Sequence, residues 1–111
     1  FFDQLGAYYT AADAYTKAVT VEPRMLEYHV ERLDYLTRQF PTDTARITAA
    51  FSDVSKAFGD TAPTLSIKAE WLAEQKRYAD AITAWETVKM LSLGQDTTAI
   101  DEEIARLQKR L

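Results

Sequence analysis

Gly6-Ala7-Tyr8-Tyr9-Thr10-Ala11-Ala12-Asp13-Ala14-Tyr15-Thr16-Lys17-Ala18-Val19 returns 70 residues downstream as Lys76-Arg77-Tyr78-Ala79-Asp80-Ala81-Ile82-Thr83-Ala84-Trp85-Glu86-Thr87-Val88-Lys89. Tyr8 falls on Tyr78, Ala11 on Ala81, Ala14 on Ala84 and Tyr15 on Trp85. Small and apolar residues recur three and four positions apart, the spacing of one face of an α-helix. The offset is two periods of about 34 residues, the length of a helix–turn–helix unit. Chains built by such repetition usually present a stacked surface and carry no reactive constellation.

Outward from this echo, Gly6, Pro23, Pro41, Gly59, Pro63 and Gly94 punctuate the sequence, and helix-length stretches lie between them. Proline disrupts a helix interior and glycine costs about 1 kcal/mol there relative to alanine, so their confinement to boundaries predicts an all-α chain. No window alternates apolar and polar residues cleanly enough for a strand. The spacing predicts a helix tail over 1–5 turned at Gly6, then a helix over 8–22 burying Tyr8, Ala11, Ala12, Tyr15, Ala18 and Val19. Pro23 opens a helix to about Phe40 with the stripe Leu26, His29, Val30, Leu33, Leu36 and Phe40. Thr42 or Asp43 caps the next, which buries Ile47, Ala50, Phe51, Val54, Ala57 and Phe58 before Gly59 stops it. Asp60 or Thr61 caps a fifth element with Pro63 in its first turn and Leu65, Ala69 and Leu72 on its face. A turn near Lys76 leads to the helix of Tyr78, Ala81, Ile82, Trp85 and Val88, closed by Gly94. Asp96 or Thr97 caps a last helix with Ile100, Ile104, Leu107 and Leu111. Its early acids and late Lys109-Arg110 complement the helix dipole.

These residues resemble the tetratricopeptide repeat family, which places a tyrosine after the inter-helix turn, then a small alanine, an aromatic, a further small or apolar residue and a closing proline. Tyr8, Ala11, Tyr15, Ala18 and Pro23 fit that pattern, with Gly6 at the turn. Tyr78, Ala81, Ile82, Trp85 and Val88 fit it again, with Gly94 as the breaker and Leu93 where proline is expected. The middle unit (Ile47, Ala50, Phe51, Val54, Ala57) fits only if the turn after Phe40 is several residues longer. The first-helix signature is loosely kept. The resemblance implies a right-handed superhelical stack of antiparallel helix pairs. A truncated repeat would span 1–23, a degenerate repeat 24–59, a repeat 60–94 and a capping helix, or the start of another repeat, 95–111. Alanines would let helices approach closely and aromatics would fill the wedge between units.

The 111 residues are one domain's worth of chain, 47% hydrophobic and 27% charged. A net charge of −4 and basic residues scattered almost singly argue against a nucleic-acid partner, which calls for a basic patch. Absence of cysteine excludes disulfides and thiolate chemistry and leaves periplasm and cytoplasm equally open. No apolar run approaches a membrane span. The opening Phe1-Phe2, without methionine, suggests a piece of a longer chain.

Catalytic signatures are sparse. His29 is the one histidine; beside Glu27, Glu31 or Asp34 it has the chemistry of a general base, and the simpler reading is a helix residue packed against a neighbouring unit. No cluster of metal ligands, glycine-rich phosphate loop or nucleophile elbow stands in the sequence, so no cofactor, metal or catalytic residue is expected. In the resembled family the first helix of each pair lines a concave groove. By position that assigns Glu27, Val30, Asp34, Thr37 and Arg38 in one unit and Ser66, Glu70, Ala73 and Glu74 in the next, with Asp3 and Gln4 adding to it. Glu70 and Glu74 stand four apart, where like charges mildly disfavour a helix. They read either as a solvated face or as an acidic strip kept for a basic partner. An acidic-tail clamp is disfavoured and a basic or neutral protein surface preferred. The expectation is a non-enzymatic interaction scaffold in a larger bacterial assembly, such as envelope, secretion or polysaccharide export. The alternatives are self-association through apolar ends including Phe1-Phe2 and Leu107/Leu111, or a regulatory domain tethered to a catalytic one.

Overall fold

Six α-helices account for the architecture: α1 (Phe2–Val21), α2 (Leu26–Gln39), α3 (Thr44–Phe58), α4 (Ala62–Glu74), α5 (Tyr78–Leu91) and α6 (Thr98–Gln108). They are taken from a computed structural model that describes the backbone of residues 2–111 and side chains from Leu5 onward. The expectations placed on the side chains of Phe1, Phe2, Asp3 and Gln4 lie outside that description. No strand occurs among the described residues, and within each of two units the helices pack against their sequence neighbours: α1 on α2 and α2 on α3 in one, α4 on α5 and α5 on α6 in the other. The helices α2, α4 and α6 begin at Leu26, Ala62 and Thr98, two steps of 36 residues, while α3 and α5 begin at Thr44 and Tyr78, 34 apart.

The first unit, Phe1–Gly59, places α2 between α1 and α3. Contrary to the expected turn, α1 runs unbroken through Gly6. Gly6 is exposed and open space lies where its Cβ would be, so a cost of about 1 kcal/mol is carried by a 20-residue helix. Ala12 and Val19 of α1, Leu33 and Leu36 of α2, and Ile47, Ala50 and Val54 of α3 form the core. Rings close the α1–α2 seam: Tyr15 lies 5.1 Å from Tyr35, and Tyr9 lies 4.9 Å from Phe40. The Tyr35 hydroxyl donates to the Tyr8 carbonyl at 2.9 Å, and burial, then Tyr8 and Tyr15, pushes that phenol above its ordinary value. The side chain of Asp43 caps α3 by accepting from the Arg46 backbone N–H.

The middle unit is longer, by two residues: 18 separate the starts of α2 and α3 against 16 for α4 and α5, with four residues (40–43) in its turn against three (75–77). Counted from the helix starts, Ile47 holds the place of Ala81, Ala50 that of Ala84, Phe51 that of Trp85 and Val54 that of Val88. A second departure is one of size, an isoleucine at 47 where α5 has alanine at 81.

The second unit, Asp60–Leu111, places α5 between α4 and α6. The pair α4–α5 is the most closely packed in the chain, with Ala69 and Ala81 both fully buried. Trp71 and Leu72 of α4, Ile82, Ala84 and Val88 of α5, and Leu107 of α6 complete this core. Thr61 caps α4, and Pro63 sits in its first turn, where a missing N–H leaves no bond unmade. The helix ends in a Schellman turn: the Lys76 N–H donates to Ala73 O and the Arg77 N–H to Leu72 O, with Lys76 left-handed at φ 63°. Asp96, one residue before the N-cap Thr97, holds the start of α6 by accepting from the Thr98 N–H and hydroxyl.

A groove between α4 and α6

Helices α4 and α6 both run antiparallel to α5, so they run parallel to each other and form two walls with α5 as floor. Two clefts share Glu70 and Glu103 and so form one continuous groove. The larger, about 580 Å³, lies toward the helix N-termini, where Pro63, Trp85, Val88, Ala99 and Ile100 give it an apolar lining. The smaller, about 370 Å³, lies toward the C-termini, where Glu74, Tyr78, Arg106 and Arg110 give it a mixed-charge one.

Ser66, Glu70, Ala73 and Glu74, assigned to a groove from helical position, all line these clefts. Their opposite wall does not follow from the sequence: Glu103 and Arg110 read there only as complements of the helix dipole, and Arg106 carries no assignment. Each of these charges has local work. Arg106 is chelated by both Glu103 oxygens, which raises its already high pKa. Arg110 donates to the Tyr78 hydroxyl at 3.1 Å, its guanidinium 5.3 Å from that ring's centre. Glu70 and Glu74 make no ion pair among the described residues. Both carboxylates are exposed.

The residues assigned on α2 fare differently. Glu27 and Arg38 are exposed, Val30 and Asp34 half-buried, and Asp34 pairs with Arg38 at 3.0 Å. Thr37 is buried and its hydroxyl donates to the Leu33 carbonyl at 2.8 Å, so it offers no surface to a partner.

His29 is 2% exposed. Its Nε2–H donates to the Pro23 carbonyl at 2.7 Å and its ring meets Phe58 edge-on, so it ties the α1–α2 turn to α3. That leaves Nδ1 buried without a partner, and neither Glu27, Glu31 nor Asp34 is bonded to the ring. Nearby, the buried Arg32 donates to Asp53 of α3 at 2.7 Å, a long-range pair that helical periodicity does not announce. A third cleft, about 350 Å³, opens beside His29, Asp53 and Lys56. Among the described residues no three metal-capable side chains gather, and no helix is long and apolar enough to cross a membrane. Compared with known proteins, the chain matches no family model, no curated protein and no solved structure.

Proposed function

We propose that this chain is a non-enzymatic interaction scaffold, a right-handed superhelical stack of tetratricopeptide-type helix pairs, in which the α4–α6 groove holds a segment of a protein partner. The single observation that carries this reading is the groove itself: two parallel walls, an apolar stretch and two unpaired carboxylates, on helices whose packing already fixes their positions. A preformed groove limits the ordering cost of binding to that of the incoming segment. The recurrence of helix starts at 36 and 34 residues supports the repeat reading. Glu70 and Glu74 favour a basic or neutral surface over an acidic tail.

Selection from a displayed random-peptide library tests the proposal. Peptides enriched on the protein should lose binding to Ala99→Trp, which fills the larger cleft from an exposed position and leaves the circular dichroism unchanged. Enriched peptides that bind both proteins equally would remove the groove from consideration. One observation favours a self-associating role beside this: Met90 and Leu93 are 71% and 86% exposed at the end of α5. Leu107 cannot serve as a sticky end, because it is buried. Light scattering that shows a monomer at all accessible concentrations would exclude self-association.

A further inference from the structure

Building on the interaction reading, we infer that the groove selects an extended segment in which a lysine or arginine stands two residues from a bulky apolar side chain. The larger cleft supplies the apolar seat, walled by Pro63, Val88, Ala99 and Ile100 with Trp85 beside them. No cationic side chain lines it, whereas Glu70 enters from α4 and Glu103 from α6. Arg106 takes up Glu103, so the uncompensated charge in the groove is that of Glu70, with Glu74 a turn further along. A cation between the two walls completes this arrangement; a carboxylate there meets two like charges and is rejected.

The spacing follows from helix geometry. Ser66 and Glu70 are four residues apart on α4, about 6 Å at the helical rise, and Ile100 and Glu103 are three apart on α6, about 4.5 Å. In an extended segment, side chains at i and i+2 share a face and lie about 6.5 Å apart. Adjacent residues point to opposite faces, so an apolar–any–cation order, read in either direction, matches seat and carboxylate together. Beyond Glu74 the groove turns to Arg106 and Arg110, where a second cation is disfavoured. One cation beside one apolar anchor is therefore the preferred ligand, and a run of basic residues is not.

The test uses the 111-residue protein and capped peptides carrying Leu-Ser-Lys, Leu-Ser-Gln, Leu-Ser-Glu or Gly-Ser-Lys in one Gly/Ser frame, titrated by ¹⁵N NMR. The Trp85 indole and Ile100 amide report the cleft, and the Trp71 indole, in the core, serves as control. Leu-Ser-Lys is expected to shift the two cleft signals, with Leu-Ser-Glu and Gly-Ser-Lys each weaker by about tenfold. Glu70→Gln should weaken Leu-Ser-Lys by about threefold to fivefold and leave Leu-Ser-Gln unchanged. Equal binding of Leu-Ser-Lys and Leu-Ser-Glu overturns the charge assignment, and equal binding of Gly-Ser-Lys overturns the apolar seat. If none of the four peptides binds while library-selected peptides still shift the cleft signals, this ligand class falls and the scaffold reading stands. If the library also yields no groove-dependent binder, both fall.

Discussion

At the scale of the residue, the first unit's most consequential contact is the pair of Arg32 with Asp53. The arginine side chain is 8% exposed and the aspartate 49%, and the arginine Nε has no partner of its own. A guanidinium held away from water with one acceptor is tolerated only while that acceptor stays. Asp53→Ala leaves the charge buried and uncompensated and should destabilise the protein by about 1–3 kcal/mol, below the range for a fully buried pair because solvent screens the aspartate. Arg32→Met, which removes the charge and keeps the volume, should cost less. Urea denaturation of the two variants ranks them; an equal or greater loss in Arg32→Met would show that the ion pair itself is a net source of stability. His29 belongs to the same scale. Sequence spacing suggested carboxylate neighbours for it on its own helix, but the ring turns to the Pro23 carbonyl and to Phe58. Periodicity reports which face of a helix a residue occupies and is silent about what another element brings there.

At the scale of the element, helix ends hold more information than helix middles. Lys76 adopts φ 63° to close the Schellman turn of α4, a conformation that glycine reaches without strain. Lys76→Gly should therefore stabilise the protein by about 1 kcal/mol, and Lys76→Val should destabilise it, as β-branching resists that backbone region. Chemical denaturation reads both, and a loss on introducing glycine would mean the lysine side chain contributes more than its backbone costs. At the start of α6, hydrogen bonds from the Thr98 hydroxyl and N–H hold the Asp96 carboxyl below its ordinary 3.8. Its hold on α6 is thus complete above that value and is lost as pH falls through the lower folded value. Amide exchange at Thr98–Ile100 should quicken as pH drops from about 5 to 2 beyond the intrinsic trend, and Asp96→Asn should flatten the excess. The helices themselves were legible because Leu33, Leu36, Ile47, Ala50 and Val54 sit at helical spacing and are all buried. Gly6 misled because a single exposed glycine cannot break a helix that its neighbours support; Thr10 even bonds its hydroxyl to the Gly6 carbonyl.

At the scale of the whole molecule, one wall of the groove was legible and the other was not, for a physical reason. Ser66, Glu70, Ala73 and Glu74 follow from the register of α4 alone, whereas Glu103, Arg106 and Arg110 join them only because α6 returns along α5 in the direction of α4. Sequence spacing within a helix cannot supply that return. The charge of the chain links this groove to solution behaviour. Each Glu→Lys reversal raises the charge by two, so Glu70→Lys/Glu74→Lys takes the formal net charge from −4 to zero at neutral pH. Both positions are exposed and neither carboxylate pairs with a cation, so the fold should survive: helical circular dichroism unchanged and the denaturation midpoint shifted little, since surface substitutions of this kind move stability by about 0.5 kcal/mol or less. Solubility should fall near pH 7, because loss of net charge removes the repulsion between copies. In the same variant, ligand preference should invert toward acidic segments, and raising salt should weaken binding in both proteins, since each relies on opposite charges partly open to solvent. Titrations at low and high ionic strength separate the two effects. A variant that keeps its fold, loses solubility and yet binds the same peptides with the same salt response would show that net charge governs the molecule's behaviour in solution while Glu70 and Glu74 take no part in recognition.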